Sequence, residues 1–415
     1  MEGYSPKVVQ KAVRQGSKSP SFAEASEDLL EMAQVKISPR YVETLVERVG
    51  QEWAQNRDAD VALFRKDELA RDYPQAPAVS AVMLDGGRAQ TRADENPPGV
   101  HEPGWKETKV ACCLTLASAT SSQDPQPEPP KQFLDPPRVA KLVQQIKARG
   151  GKATRSKEED DKKKPPKAPK NKRTKRRRKA RRVKKLVRTT IATMADSEKF
   201  GWQVAAEVHR RGLDEAGRKA CVCDGQRSNW SIFEMHLAGS GFIAILDFLH
   251  LLVYLYAAAH AAMGKGVAQT FKAWQLYERW LRMAWSGQAK ELLAELVREA
   301  EKLGAPPKEA DEQDPRKILA EAVTYVTNNQ ERMDYPRYRM LGLPISSAPV
   351  ESVIKQFNRR VKGSEKFWLK GGLEAVLQVR AAYLSEDGRA EQYWGRPRPY
   401  RRAAGHGALP KKKVA

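Results

Sequence analysis

Apolar positions along the chain follow two patterns. Short unbroken runs recur three times, and each is closed by an aspartate: Ala81-Val82-Met83-Leu84 before Asp85, Ala220-Cys221-Val222-Cys223 before Asp224, and Phe242 to Leu246 before Asp247. Runs of this length are too short for a helix and predict buried strands. Elsewhere apolar residues return every three or four positions, as in Phe22, Ala25, Leu29, Leu30 and Ala33, or Val42, Leu45, Val46 and Val49. Phe200, Val204, Ala205 and Val208 repeat the pattern, as do Val350, Val353, Ile354, Phe357 and Val361. Each of these sets predicts an amphipathic helix.

In order, the elements divide the chain into seven parts. Residues 1–78 are helical. Ser38 and Pro39 supply the cap and first position of a helix expected to end at Gly50. With the helix before it, this resembles a helix-turn-helix whose Ser38–Val49 element enters a major groove, with Arg40 at its start. A plain helical hairpin fits the same pattern. Residues 79–117 hold strands at Val79–Leu84 and Lys109–Leu116, and Gly86-Gly87 is expected to turn the chain just past Asp85. Residues 118–195 are proline-rich and then basic, and read as a disordered linker. Residues 196–250 carry the helix Ser197–Leu213, the Asp224 strand, a short helix around Trp230 and the Asp247 strand. Residues 251–343 are helical runs, among them Phe271–Leu303 and Pro315–Asn329. Residues 344–388 hold two late helices, and 389–415 read as a basic, disordered tail. The fold class is α/β.

Composition sharpens the choice of partner. Lys and Arg number 74 against 51 Asp and Glu, a formal net charge of +23 over 415 residues. Such an imbalance favours a polyanion, with nucleic acid first. The acid-free tract Lys162–Lys185, which contains Arg176, Arg177, Arg178, Lys179, Arg181 and Arg182, is expected to track phosphates without sequence preference. The longest apolar stretch, Phe242 to Met263, is interrupted by Asp247 and His250, so no membrane span is expected. Cys112, Cys113, Cys221 and Cys223 lack metal-ligand spacing and read as buried thiols, in keeping with a cytoplasmic protein.

Carboxylates at the ends of neighbouring strands converge on the edge where open α/β sheets take their ligands. The order of strand with Asp85, strand with Asp224, strand with Asp247, helical run and helix with Glu351 resembles a ribonuclease H-like fold with an α-helical insertion before its late helix. Taken singly, Asp-Gly at 85 and 224 is equally a turn dipeptide. Glu351 is equally a first-turn helix acid, and His250 equally a packing residue. Longer stretches carry a family resemblance: DGGR at Asp85–Arg88, DGQRSNW at Asp224–Trp230, ILDFLHLLVYLYAAA from Ile245, RMDYPRYRMLGLPISSAPVES at Arg332–Ser352 and RVKGSEKFW from Arg360. Together they resemble the DDE transposases of bacterial insertion sequences, nearest the ISKra-type group.

The resemblance implies Mg²⁺-dependent cleavage at insertion-sequence ends and strand transfer into target DNA by a homodimer or larger assembly on the nucleoid. Asp85, Asp224 and Glu351 are then the catalytic residues holding two Mg²⁺, with Mn²⁺ able to substitute. Asp247, His250 and Lys355 are accessory. Trp230, Arg359, Arg360 and Lys362 join Arg40 and the basic tract as contacts to double-stranded DNA. Asp224 is preferred to Asp247 as the second acid because the helix 197–213 is the crossover that precedes the fourth strand. Two alternatives stay open: a ribonuclease H-like nuclease without strand transfer, and an inactive DNA-binding remnant of a transposase.

Overall fold

The apolar runs pair with one another across one sheet. The computed structural model describes residues 4–396 other than 74, 98, 100, 103 and 151–182. The basic tract from Arg176 to Arg182 lies outside the described residues. Two compact units are distinguished: Asp58–Arg88 with Glu107–Lys355, and the residues up to Arg57 with Ala89–Lys106 and those from Gln356 onward.

The larger unit is a mixed α/β structure. Its strands are β1 (Val79–Thr91), β2 (Trp105–Ala117), β3 (Lys184–Thr193), β4 (Arg218–Cys223) and β5 (Ile243–Leu246), in the spatial order β3-β2-β1-β4-β5. β3 runs antiparallel to β2, whereas β4 lies parallel to β1, and β5 parallel to β4. The central strands are nearly all apolar because helices cover them: Val79 to Leu84 and Ala220 to Cys223 are buried throughout. All four cysteines are buried on β2 and β4, and none is in a disulfide.

Three expectations are corrected here. Gly86-Gly87 does not turn the chain, because β1 continues through it to Thr91, passing so close to β2 that a Cβ on Gly86 would lie 3.2 Å from Glu107 Oε1. Residues 118–195 are not one linker. Phe133 is buried against Phe248 and Trp285, Arg339 pairs with Asp124, and α4 (Pro136–Gly150) buries Val139, Val143 and Ile146. Thr189 to Thr193 of β3 are buried in the sheet. The run Phe271–Leu303 is two helices, since Gly287, at φ 79°, breaks it.

Helices of this unit are α5 (Ser197–Arg210), α6 (Arg227–His236), α7 (Phe248–Met263), α8 (Val267–Trp285), α9 (Ala289–Leu303), α10 (Pro315–Asn329), α11 (Tyr335–Met340) and the first half of α12 (Ala348–Val361), whose residues from Gln356 onward belong to the smaller unit. The ring of Phe248 packs edge-on against Trp285 and Tyr335, each with centroids 4.9 Å away, and Tyr335 donates to Leu246 O at 3.1 Å. This anchors the helical group to the end of β5. Among the described residues no helix is long and apolar enough to cross a membrane.

The smaller unit contains α1 (Pro6–Lys18), α2 (Phe22–Ala33) and most of α3 (Pro39–Phe64), each started by a serine whose Oγ accepts from a first-turn N–H. Helix α1 was not foreseen, and the start of the expected disordered tail is instead a helix, Arg389–Gly395, because Ala390 and Tyr393 are buried, the latter against Trp53. Nor does α3 stop at Gly50: it continues because Gly50 lets the helix approach α13 (Lys370–Leu384), where a Cβ would lie within 2.3 Å of Ala375 O, the distance at which another backbone must pass. A turn with Gln34 at φ 53° joins α2 to α3. Arg40 is exposed in the first turn of α3 and ion-paired with Glu43 at 2.7 Å.

Candidate metal-binding acidic site

Register lines the acids up. Leu84 pairs with Cys223, and Cys223 pairs with Leu246, so the next residue on each of three adjacent strands is a carboxylate: Asp85, Asp224 and Asp247. Asp247 N donates to Cys223 O at 2.8 Å, which continues the ladder to the last of them. Gly225, at φ 94°, carries the chain away from β4 in a conformation that side-chain-bearing residues rarely adopt. A ring carbon of Tyr325 lies 2.7 Å from where a Cβ on Gly225 would sit, so the turn and α10 are fitted together.

Each acid is held differently. Asp85 Oδ1 accepts from Gly86 N at 2.6 Å. Asp224 Oδ1 accepts from Gln226 N at 3.0 Å and Asn229 Nδ2 at 3.1 Å, while Tyr325 OH donates to the Asp224 carbonyl at 2.7 Å. Among the described residues, the other carboxylate oxygen of Asp85 and of Asp224 takes no hydrogen bond. Asp247 is the opposite case. It is fully buried, caps α7 through Leu249 N at 3.1 Å, and accepts from His250 Nδ1 at 2.6 Å and Ser347 Oγ at 2.7 Å on Oδ2. Both of its oxygens are committed to the protein.

Glu351 enters from the first turn of α12. Ser347 O accepts from Glu351 N at 3.2 Å, and the Ser347 hydroxyl is latched to Asp247, so the start of α12 is tied to the end of β5. Phe248 N donates to Ile345 O at 3.0 Å and fixes the approach. As a result Asp247, His250 and Glu351 bring ligand atoms within 4.8 Å of one another, a spacing that could hold a metal ion.

The electrostatics tie Asp85 and Asp224 to the same place. Burial first, then the Asp224 charge, pushes the Asp85 carboxyl up to about 7; Glu351 adds to the rise, against the Gly86 N–H and His250. Burial also raises Asp224, with the His250 charge opposing it. For His250, burial alone would lower the imidazole, but the hydrogen bond and charge of Asp247, followed by the charges of Asp224 and Asp85, lift it to about 9. Four carboxylates, Asp247 and Glu351 buried and Asp85 and Asp224 half-buried, thus gather around one imidazolium. Oxygen donors in that condition suit a hard divalent cation such as Mg²⁺.

Of the residues expected from sequence, Asp85, Asp224, Asp247, His250 and Glu351 come together. Lys355 lies one turn after Glu351 and is exposed. Two expectations are corrected. Trp230 is not a DNA contact: it is buried, donates to Asn329 Oδ1 at 2.9 Å, and has the Arg332 guanidinium 4.5 Å from its ring centroid, fastening α6 to α10. Arg360 is also buried. Its Nε donates to Gly16 O at 2.9 Å and its guanidinium sits between the rings of Phe22 and Trp368 at 4.4 and 4.8 Å, so it holds the smaller unit together instead of meeting phosphate. Arg359 and Lys362 are exposed. Ser347, Asn229 and Tyr325 were missed, since their partners are far along the chain or on another element. Neither a protein-family model nor a curated protein matches the chain.

Asp247→Asn is expected to return His250 toward its ordinary value of 6.5, and to cost on the order of 3 kcal/mol by leaving a buried cation short of its counter-charge. Because His250 is raised, its contribution to stability is complete below about pH 6.5 and is lost as pH rises through about 9. The difference between Asp247→Asn and the native protein, measured by urea unfolding, should therefore be largest in mild acid and shrink in strong base. Histidine NMR titration reads the shift directly, and an unmoved His250 resonance would refute the coupling.

Proposed function

We propose that the chain is a DDE-type DNA transposase in which Asp85, Asp224 and Glu351 are the catalytic carboxylates. The observation that carries this reading is their convergence from β1, the end of β4 and the first turn of α12 on one electrostatic neighbourhood, where the charges of Asp224 and Glu351 both burden Asp85. The strand order β3-β2-β1-β4-β5, with β4 parallel to β1, supports a ribonuclease H-like core. On that reading α7 to α11 form an insertion between β5 and the late helix α12. The stretches quoted from Asp85 to Trp368 supply the family.

Asp85, Asp224 and Glu351 would hold Mg²⁺, or Mn²⁺ in its place, and the ions would supply charge to the attacking and leaving oxygens of a phosphodiester. The chain's own residues do the rest. Gly86 N, Gln226 N and Asn229 hold one oxygen each of Asp85 and Asp224, leaving the other without a hydrogen bond among the described residues. Ser347 fixes the first turn of α12 and hence Glu351. Asp247 holds a proton on His250 Nδ1, placing a positive charge beside the acids. Asp247 is the orienting residue and Asp224 the second catalytic acid, because Asp247 is already saturated by protein donors.

The test is to incubate the full chain with labelled DNA carrying the sequences that flank its gene, together with a target plasmid, in Mg²⁺. End cleavage leaving a 3′ hydroxyl, followed by joining to the target, is expected. Hydrolysis with no joined product would favour the nuclease reading, and tight binding with neither product the remnant.

A further inference from the structure

We propose that Arg14, Arg359 and Arg380 form a binding site for the phosphodiester backbone of duplex DNA in the smaller unit, a unit that carries none of the acidic site. The proposal rests on the reading above only for the identity of the polyanion. Its basis is a set of arginines brought together with no carboxylate paired to them among the described residues.

Helix α1 docks on α13 through Tyr383, whose hydroxyl donates to Gln10 O at 3.4 Å and accepts from Trp394 Nε1 at 2.9 Å. That contact sets the Arg14 guanidinium 5.7 Å from the Tyr383 ring centroid, one helical turn from Arg380 on α13. On the other side Arg360, tied to Gly16 O and Pro20 O, fixes the end of α12 against the α1–α2 turn and with it the neighbouring Arg359. Arg380 lies among these charges. Its Nε is buried without a hydrogen bond, and burial followed by the charges of Arg14 and Arg359 lowers its affinity for a proton.

A guanidinium does not escape such a position by deprotonating at neutral pH. An anion relieves it. Among the described residues none of Arg14, Arg359 and Arg380 has an ion pair, whereas Arg40, Arg57 and Arg389 of the same unit each have a carboxylate at 2.7 Å. Glu391 acts on Tyr383 but pairs with no arginine of the cluster. Arg14 and Arg359 are exposed and Arg380 is half-buried behind them, so two forks face solvent with a third charge beneath. Planar forks match phosphate oxygens in pairs, and the formal net charge of +23 favours a polyanion as the occupant.

Salt dependence tests the proposal. Binding of a labelled random-sequence duplex to the full chain is measured over a series of KCl concentrations for the native protein, for the double variant Arg14→Gln/Arg359→Gln, and for Arg380→Gln and Arg380→Lys. The native slope of log affinity against log salt includes a share from the basic tract, so the difference is the readout. The double variant, which changes only exposed side chains, should flatten the slope by about 2, at about 0.9 per phosphate released. Arg380→Gln should flatten it further by about 1, and Arg380→Lys should keep the native slope. An unchanged slope in the double variant overturns the proposal, as does a native protein that binds no duplex. Loss of poly-glutamate binding in the double variant with the DNA slope intact would assign an acidic peptide and also overturn it. A flattened slope in a protein that cuts no DNA would sink the transposase reading alone. An unchanged slope in one that cuts and joins would sink this site alone.

Discussion

Asp85→Asn should leave duplex DNA binding within a few fold of the native protein while Mg²⁺-dependent cleavage of element ends falls about 10³-fold or more. A metal-held charge at a reacting phosphodiester contributes several kcal/mol, and about 4 kcal/mol corresponds to that factor. The asparagine keeps the shape of the side chain and can still accept from Gly86 N, so β1 and its pairing with β4 survive. What disappears is one negative charge from a place that already strains to hold several. Glu351→Gln should behave alike, because it enters the same neighbourhood from a helix whose start is fixed independently by Ser347. Cleavage assays alongside gel-shift titrations separate the two effects. Equal loss of binding and cleavage in folded variants would place these acids in DNA recognition or in structure, and full activity in Asp85→Asn would end the assignment outright.

Much of this site was legible in the sequence because its signal is local. An apolar run that stops at an aspartate announces both a strand and the carboxylate at its end, and that happens at Leu84, Cys223 and Leu246. Their convergence on one sheet edge was legible in the strand order, but the register that sets them side by side was not, since β1 finds β4 more than a hundred residues along the chain and β5 joins the sheet through β4. Strand β3 escaped for a compositional reason: Lys184 to Arg188 continue the basic tract, and the buried half begins only at Thr189. Gly50 and Gly86-Gly87 were read as breaks because glycine permits one. In the fold Gly50 permits close passage of another backbone and Gly86 of a side chain instead. Trp230 and Arg360 show the limit of residue type as a guide. An aromatic ring or a guanidinium in a basic chain suggests nucleic acid, but only packing reveals that Asn329 holds the one and Gly16 the other.

Divalent-ion binding should strengthen as pH rises through about 7, and Asp85 should be the cause. Burial and the Asp224 charge raise its carboxyl from 3.8 to about 7. With the folded value raised, the group's contribution to stability is complete below about pH 3.8 and is lost as pH rises through about 7. The ion-free protein therefore loses about 4 kcal/mol from this one group between about pH 3 and about pH 8, of which only about 1 kcal/mol falls between about pH 6 and about pH 8. Mg²⁺ competes with that proton, so its apparent affinity should rise about tenfold per pH unit below the titration and level off above it. His250 does not produce this trend, because it titrates near 9. Asp224 is also raised by burial, and the Asp85→Asn variant separates the two contributions. Thermal unfolding with chelator and with excess Mg²⁺, at about pH 6 and about pH 8, should show Mg²⁺ stabilisation that is small at the lower pH and several degrees at the higher. In Asp85→Asn the chelated protein should be the more stable of the two at pH 8, and most of the pH dependence of the Mg²⁺ effect should vanish. A Mg²⁺ effect that is equal at both pH values, or that survives Asp85→Asn unchanged, would mean that the ion binds elsewhere or not at all.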